Sequence, residues 1–244
     1  MMPPRLPRFR ALGLLAAGLL ASLAPLAAQE AKPDATEILR QARFTAALQE
    51  GDLEGELAAE KTKIPFRMTM ADQKIHFTFT NPDQRITLHL GDDRFLFTET
   101  LADGKEKPVP ATRHAENLRG TDITYEDLAL RFLFWKDATI LEETEFKGRK
   151  AWKIRINNPG SPGPYAVVYA WIDQESAALL RVQGYNPKGE CVKQFEVLSG
   201  MKVENGWMLK EMRVETMVGN PGKVASRTYL RLDKPKKAGR KPDW

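Results

Sequence analysis

Residues 75–90 read IHFTFTNPDQRITLHL. Ile75, Phe77 and Phe79 alternate with His76 and Thr78, and Ile86, Leu88 and Leu90 alternate with Arg85, Thr87 and His89. A period of two places the apolar residues on one face of a strand and the polar ones on the other. Asn81–Pro82–Asp83 between the two runs is turn chemistry. The stretch therefore predicts an antiparallel hairpin with one dry face. Closure across Asn81–Gln84 sets His76 against His89 on the wet face.

The same pattern extends outward. Ile64, Phe66, Met68 and Met70 precede it, after a weaker first strand over Asp52–Glu60, and Phe95 and Phe97 follow it. Further on, Trp152, Ile154 and Ile156 alternate with Lys153 and Arg155, and Tyr165–Ile172 is apolar on both faces. Strands over Ala178–Gln183, Cys191–Leu198, Met201–Val203, Trp207–Met217 and Val224–Leu232 complete the series, with a break expected at Gly200. Sequential strands with short turns are neighbours in space. The expected fold is mainly β, a large curved antiparallel sheet of about eleven strands wrapped around helices. A closed barrel and a β-sandwich are the alternatives.

Two segments break the period. Asp34 begins a helix in which Ile38 and Ala42 recur at helical spacing, with Glu37 placed to complete a capping box. Residues 120–135, GTDITYEDLALRFLFW, lie between the two tracts of strands. Thr124 and Asp127 have capping-box spacing, and Leu128, Phe132 and Trp135 then share one helical face. With Tyr125 they predict one apolar helix on the sheet, a core element or a movable lid. Asp122, Glu126 and Asp127 read as capping and solvated acids.

The chain has 244 residues and a formal charge of +5. Arg5, Arg8 and Arg10, an apolar run to Leu26 and the small Ala27–Ala28 predict a cleaved export signal over 1–28 and a periplasmic protein. Those arginines account for three of the positive charges, so the remainder is near +2, which gives no reason to expect a nucleic-acid partner. Residues 29–232 form the expected domain, and 233–244 a basic disordered tail. The single cysteine, Cys191, excludes an internal disulfide.

No Gly-x-Ser-x-Gly, phosphate loop or dinucleotide fingerprint is present. Three histidines are too few and too scattered for a convincing metal set. Neither an enzyme, a metal nor a cofactor is expected. Phe66, Met68, Phe77, Phe79, Phe95 and Phe97, together with Trp152, Tyr169 and Trp171, are the candidate lining of an apolar concave face, with methionine suited to ligands of variable shape.

Gly120–Leu128 resembles the motif of bacterial outer-membrane lipoprotein-sorting-like proteins, relatives of the periplasmic lipoprotein carrier LolA. Gly148–Trp152, Trp171–Asp173, Leu179–Arg181, Phe195 and Ser226–Tyr229 are similar to that family too. The resemblance spans about Ala35–Leu232. It implies an unclosed β-barrel, LolA/LolB-like, with helices on its concave side and a cavity for lipid or lipoprotein acyl chains. The implied function is a monomeric, non-enzymatic binding protein, including sorting of lipoproteins to the outer membrane with inner- or outer-membrane transport partners. An envelope sensor or scaffold that binds another protein is the alternative.

Overall fold

The computed structural model describes residues 33–235 except 48–50, 61, 72–73, 91–94 and 204–205. The expected signal over 1–28 and most of the basic tail lie outside the described residues.

Helix α1 (Ala35–Ala47) precedes thirteen strands. They are β1 (Gly51–Ala59), β2 (Thr62–Ala71), β3 (Lys74–Phe79), β4 (Gln84–Leu90), β5 (Phe95–Leu101), β6 (Glu106–Pro108), β7 (Asp137–Phe146), β8 (Arg149–Asn157), β9 (Val167–Asp173), β10 (Leu179–Tyr185), β11 (Cys191–Val203), β12 (Gly206–Val218) and β13 (Lys223–Leu232). All belong to one antiparallel sheet, ordered β6-β5-β4-β3-β2-β1-β13-β12-β11-β10-β9-β8-β7. Two meanders therefore meet at the β1–β13 pair, and β6 and β7 are the free edges of an unclosed sheet. The extra strand β6 falls in a segment whose two prolines predict irregular chain. β11 runs unbroken through Gly200, because Gly200 pairs with Leu209 on β12.

Alternation sets the inner face. Met68 lies opposite Phe77 and Phe77 opposite Ile86, while Leu88 lies opposite Phe97. In the second half Trp152 faces Ile172, and Val182 faces both Ala170 and Phe195. These residues join one hydrophobic core, whose burial from water is the main force holding the sheet curved around its contents. The outer face carries ion pairs such as Arg231 with Glu56 and Glu211, which contribute little each.

Helix α1 buries Ala35, Ile38, Leu39 and Ala42 and packs against β7, β9 and residues 131–134. Asp34 Oδ1 accepts a hydrogen bond from the Thr36 amide. Glu37 does not serve the cap as expected; its carboxylate turns along the helix to Arg40 and Gln41.

The connection from β6 to β7 must travel from one edge of the sheet to the other. It is the element that the sequence singles out over 120–135, and it is not one helix. Helix α2 spans only Tyr125–Leu128, and a separate 3-10 turn covers Arg131–Phe134. Leu130 between them is left-handed, with φ 49° and ψ 41°. Apolar spacing at 3.6 residues fits two short pieces on a common face as well as one helix, so periodicity alone does not reveal this break.

Candidate functional site

The connecting segment, 109–136, reaches across the inner face and is held there in two different ways. Its first part buries Leu118, Ile123 and Tyr125 in the core and is fixed in addition by polar groups. Thr124 caps α2, accepting from the Asp127 amide, while Asp127 Oδ2 accepts from the Thr124 amide, so the capping box forms as its spacing predicts. Asp127 does more than cap. Its Oδ1 accepts from the Tyr165 hydroxyl at 2.6 Å, and Lys193 Nζ lies 3.7 Å from Oδ2.

Asp122 is the second anchor. Its carboxylate accepts from Thr216 Oγ1 at 2.5 Å, from Thr228 Oγ1 at 2.9 Å and from Ser226 Oγ. Its own amide donates to Thr228 Oγ1 at 2.8 Å, and Lys193 Nζ donates to its carbonyl at 2.5 Å. One side chain thus ties the segment to β12 and β13, and the lysine of β11 adds a third strand. Asp122 and Lys193 are only 5% and 6% exposed. Buried charges of this kind persist only when paired and fully hydrogen-bonded.

A third anchor holds the start of the segment to β4 and β5. Glu99, on the inner face of β5, accepts from Arg113 at 2.8 Å, Tyr125 at 2.7 Å and Gln84 at 2.6 Å. Burial raises the Glu99 carboxyl, but these three donors outweigh it and hold it below the usual carboxylate range. Arg119 reaches the carbonyls of Thr80, Asn81 and Pro82 in the β3–β4 turn.

The sequence predicts Asp122, Glu126 and Asp127 to be capping and solvated acids. All three are buried instead, because the segment crosses the interior rather than the surface. Burial is the largest influence on Asp127 and raises its carboxyl, against the pull of Lys193 and Tyr165. Glu126 is 0% exposed and neither carboxylate oxygen has a hydrogen-bond partner. Burial first, and Asp127 beside it, push the Glu126 carboxyl up to about 7, against Arg131. A Cβ added at Gly163 would stand 2.5 Å from Glu126 Oε2, so the carboxyl packs directly against this glycine and would have to shift for any larger residue.

The second part, Leu130–Trp135, is held by apolar packing. Phe132, Leu133 and Trp135 are buried, and the Phe132 and Phe195 ring centres are 6.2 Å apart. Leu128 and Phe134 are half-buried against the same core. The Trp135 Nε1 is buried without a partner, and Arg131 donates to the Pro162 carbonyl at 3.2 Å.

Of the candidate lining, Phe66, Met68, Phe77, Phe79 and Phe97 come together on the inner face, with Phe66 5.8 Å from Phe77 and 6.0 Å from Phe79 between ring centres. Phe95 lies in β5; its side chain is outside the described residues. Trp152 is half-buried on the inner face, opposite Ile172. Tyr169 and Trp171 are not with them. Val168, Ala170 and Ile172 occupy the buried face of β9, so alternation sends Tyr169 and Trp171 to the outer one. There Tyr169 meets Tyr185 edge-on, and Trp171 lies beneath Arg181 and Lys153.

His76 and His89 do not face each other. The register pairs His76 with Thr87 and His89 with Lys74, two residues off the expected closure. No group of three or more potential metal ligands occurs among the described residues.

The segment is thus a crossover that joins the two edges of an open thirteen-strand sheet and is anchored beneath its centre. The family model described as "-like: Uncharacterized protein" matches residues 71–239. The chain belongs to that family. Its fold is similar to that of solved structures described as an outer membrane lipoprotein-sorting protein domain and a LolA superfamily protein. An outer membrane lipoprotein-sorting protein domain from Vibrio parahaemolyticus superposes with a TM-score of 0.66 at 16% identity, covering 85% of this chain and 94% of that one. A DUF1329 family protein from Desulfovibrio piger gives 0.65 at 15% identity, covering 86% and 96%. A LolA superfamily protein from Nitrosomonas europaea gives 0.62 at 12% identity, covering 83% and 92%. No curated protein matches the chain in sequence.

Proposed function

We propose that the protein is a non-enzymatic binding protein of the periplasm, exported by its leading segment, that takes up lipid or the acyl chains of lipoproteins on the inner face of its sheet. The observation that carries this reading is the divided crossover. Hydrocarbon cannot replace the hydrogen bonds of Asp122, Asp127 or Glu99. It can replace, contact for contact, the packing of Phe132, Leu133 and Trp135 against Phe195 and its neighbours, because dispersion and burial are indifferent to which apolar group supplies them.

The exchangeable lid is therefore Leu130–Trp135, with Leu128 at its base, and Tyr125 belongs to the fixed part. The left-handed Leu130 is its hinge. A ligand favours the displaced state only through the contacts it makes there and not in the closed state. Three large apolar side chains at about 1.5–3 kcal/mol each set the scale of contact a ligand must replace. Phe66, Met68, Phe77 and Trp152 offer the continuing apolar surface. The fold shared with a lipoprotein-sorting domain supports the same ligand class.

The test is uptake of a fluorescent acyl probe by protein purified without detergent, with lipid extraction and mass spectrometry of protein from its native host. Probe uptake that falls on locking the lid by a reducible crosslink, and returns on reduction, is the expected result. Absence of uptake together with ligand-free native protein would overturn the reading and favour a protein-binding sensor or scaffold.

A further inference from the structure

The hairpin β11–β12 extends past both of its neighbours. Beyond Glu196, β11 has no register partner on β10, and beyond Glu211, β12 has none on β13. From there Gly200, Met201, Lys202 and Val203 pair only with Leu209, Met208, Trp207 and Gly206 of the same hairpin. Four or five residues of strand amount to roughly 15 Å of two-stranded ribbon. Register shifts on either side of Ser199 separate this end from the rest of the sheet.

Its composition is unlike an ordinary loop end. Trp207 is 68% exposed, the most exposed large apolar side chain among the described residues. It lies directly across from Lys202 and over Gly200, whose added Cβ would stand 3.5 Å from Trp207 Cε3. Met201 and Met208 pair with each other and are half-buried against the core, as is Leu209. Lys202 and Lys210 are exposed. Glu211, the acid nearest among the described residues of the hairpin, is already paired with Arg231.

We propose that this hairpin end docks the protein on an anionic bilayer surface. Trp207 seats at the boundary between headgroups and acyl chains, and Lys202 and Lys210 meet lipid phosphates. An indole with an apolar body and one polar N–H is suited to that boundary, and juxtamembrane lysines favour an anionic leaflet. The half-buried Met201, Met208 and Leu209 continue from the hairpin into the core, so the docked element is contiguous with the apolar interior. The proposal stands whether or not the inner face takes an acyl chain.

Co-sedimentation with vesicles of phosphatidylethanolamine and phosphatidylglycerol tests it, using the full chain so that the basic tail contributes equally to every variant. Trp207→Ser lowers vesicle affinity roughly tenfold, and the loss persists at high salt. Lys202→Gln and Lys210→Gln each lower it about fivefold at low salt, with little effect at high salt. Acyl-probe uptake in vesicle-free solution is unchanged by Trp207→Ser, which separates a failure here from a failure of the binding function. Equal vesicle binding by wild type and Trp207→Ser overturns the proposal. So does equal binding of free glycerol phosphate and vesicles, or a Trp207-dependent protein partner without vesicle binding.

Discussion

Two parts of one connecting segment lie in the same interior and both pack on its apolar core, but only the first is also tied down by a network of buried polar side chains. Residues 113–127 are tied to the sheet by Glu99, Asp122, Asp127 and Lys193 through hydrogen bonds such as those of 2.5–2.8 Å to Arg113, Thr216, Tyr165 and the Asp122 carbonyl. Residues 130–135 place three buried apolar side chains against the sheet, with Arg131 making the side-chain hydrogen bond. The difference teaches which part of a buried plug can move. A polar anchor in a low-dielectric interior has no substitute once broken, because its partners are left unsatisfied. An apolar contact has many substitutes, including a ligand's hydrocarbon.

The sharpest way to break this contrast is substitution on each side of Leu130. Asp122→Ala leaves Thr216, Ser226 and Thr228 without their acceptor and costs about 3–5 kcal/mol in urea denaturation, with or without acyl ligand. Phe132→Ala costs about 3–5 kcal/mol in the ligand-free protein. Saturating acyl ligand recovers much of that loss, since it fills the space the ring vacates. Equal ligand rescue of both variants would erase the distinction.

Glu126 gives a pH-dependent test at the boundary of the two parts. Its carboxyl is raised from 4.5 to about 7 in the folded protein. Below 4.5 both folded and unfolded chains are protonated there, and the group has no effect on stability. As pH rises from 4.5 to about 7, the unfolded chain ionises first and stability drains away; above that the loss is complete, at about 3 kcal/mol. Glu126→Gln mimics the protonated acid. It stabilises the protein by up to that amount at alkaline pH and is neutral in acid, read from urea midpoints across the range. A stabilisation that grows as pH falls would contradict the burial argument.

A smaller effect sharpens the polar side. A Cβ at Gly184 would stand 2.5 Å from the Tyr165 ring. Gly184→Ala pushes Tyr165 away from Asp127 and costs about 1–3 kcal/mol by overpacking. Tyr165→Phe in that background should then cost less than it does alone. Full additivity would show that the alanine leaves the Tyr165–Asp127 bond intact.

Most of the sheet could be read from alternation, because a strand with one buried face writes its register into the sequence. The same rule was available for Tyr169 and Trp171, whose neighbours Val168, Ala170 and Ile172 claim the inner face; their aromatic character pointed the other way. The break at Leu130 left no signal, since leucine is not a residue that favours a left-handed backbone. The partners of the Asp122 carboxylate lie 94–106 residues away, and a local motif cannot announce a contact at that separation. One trace of it existed. Ser226 and Thr228 are polar residues on the face of β13 that continues as Leu230 and Leu232, and hydroxyls on a dry face need a buried partner.

Amide hydrogen exchange on the full chain, with and without a saturating acyl probe, tests the division most directly. Bound probe is predicted to change exchange at Leu133 and Trp135, whose amides donate within the apolar turn. The amides of Asp122, Thr124 and Asp127 are predicted to keep their protection. Loss of protection at Asp122 and Thr124 together with Leu133 would show that the whole crossover lifts as one body and would contradict the account.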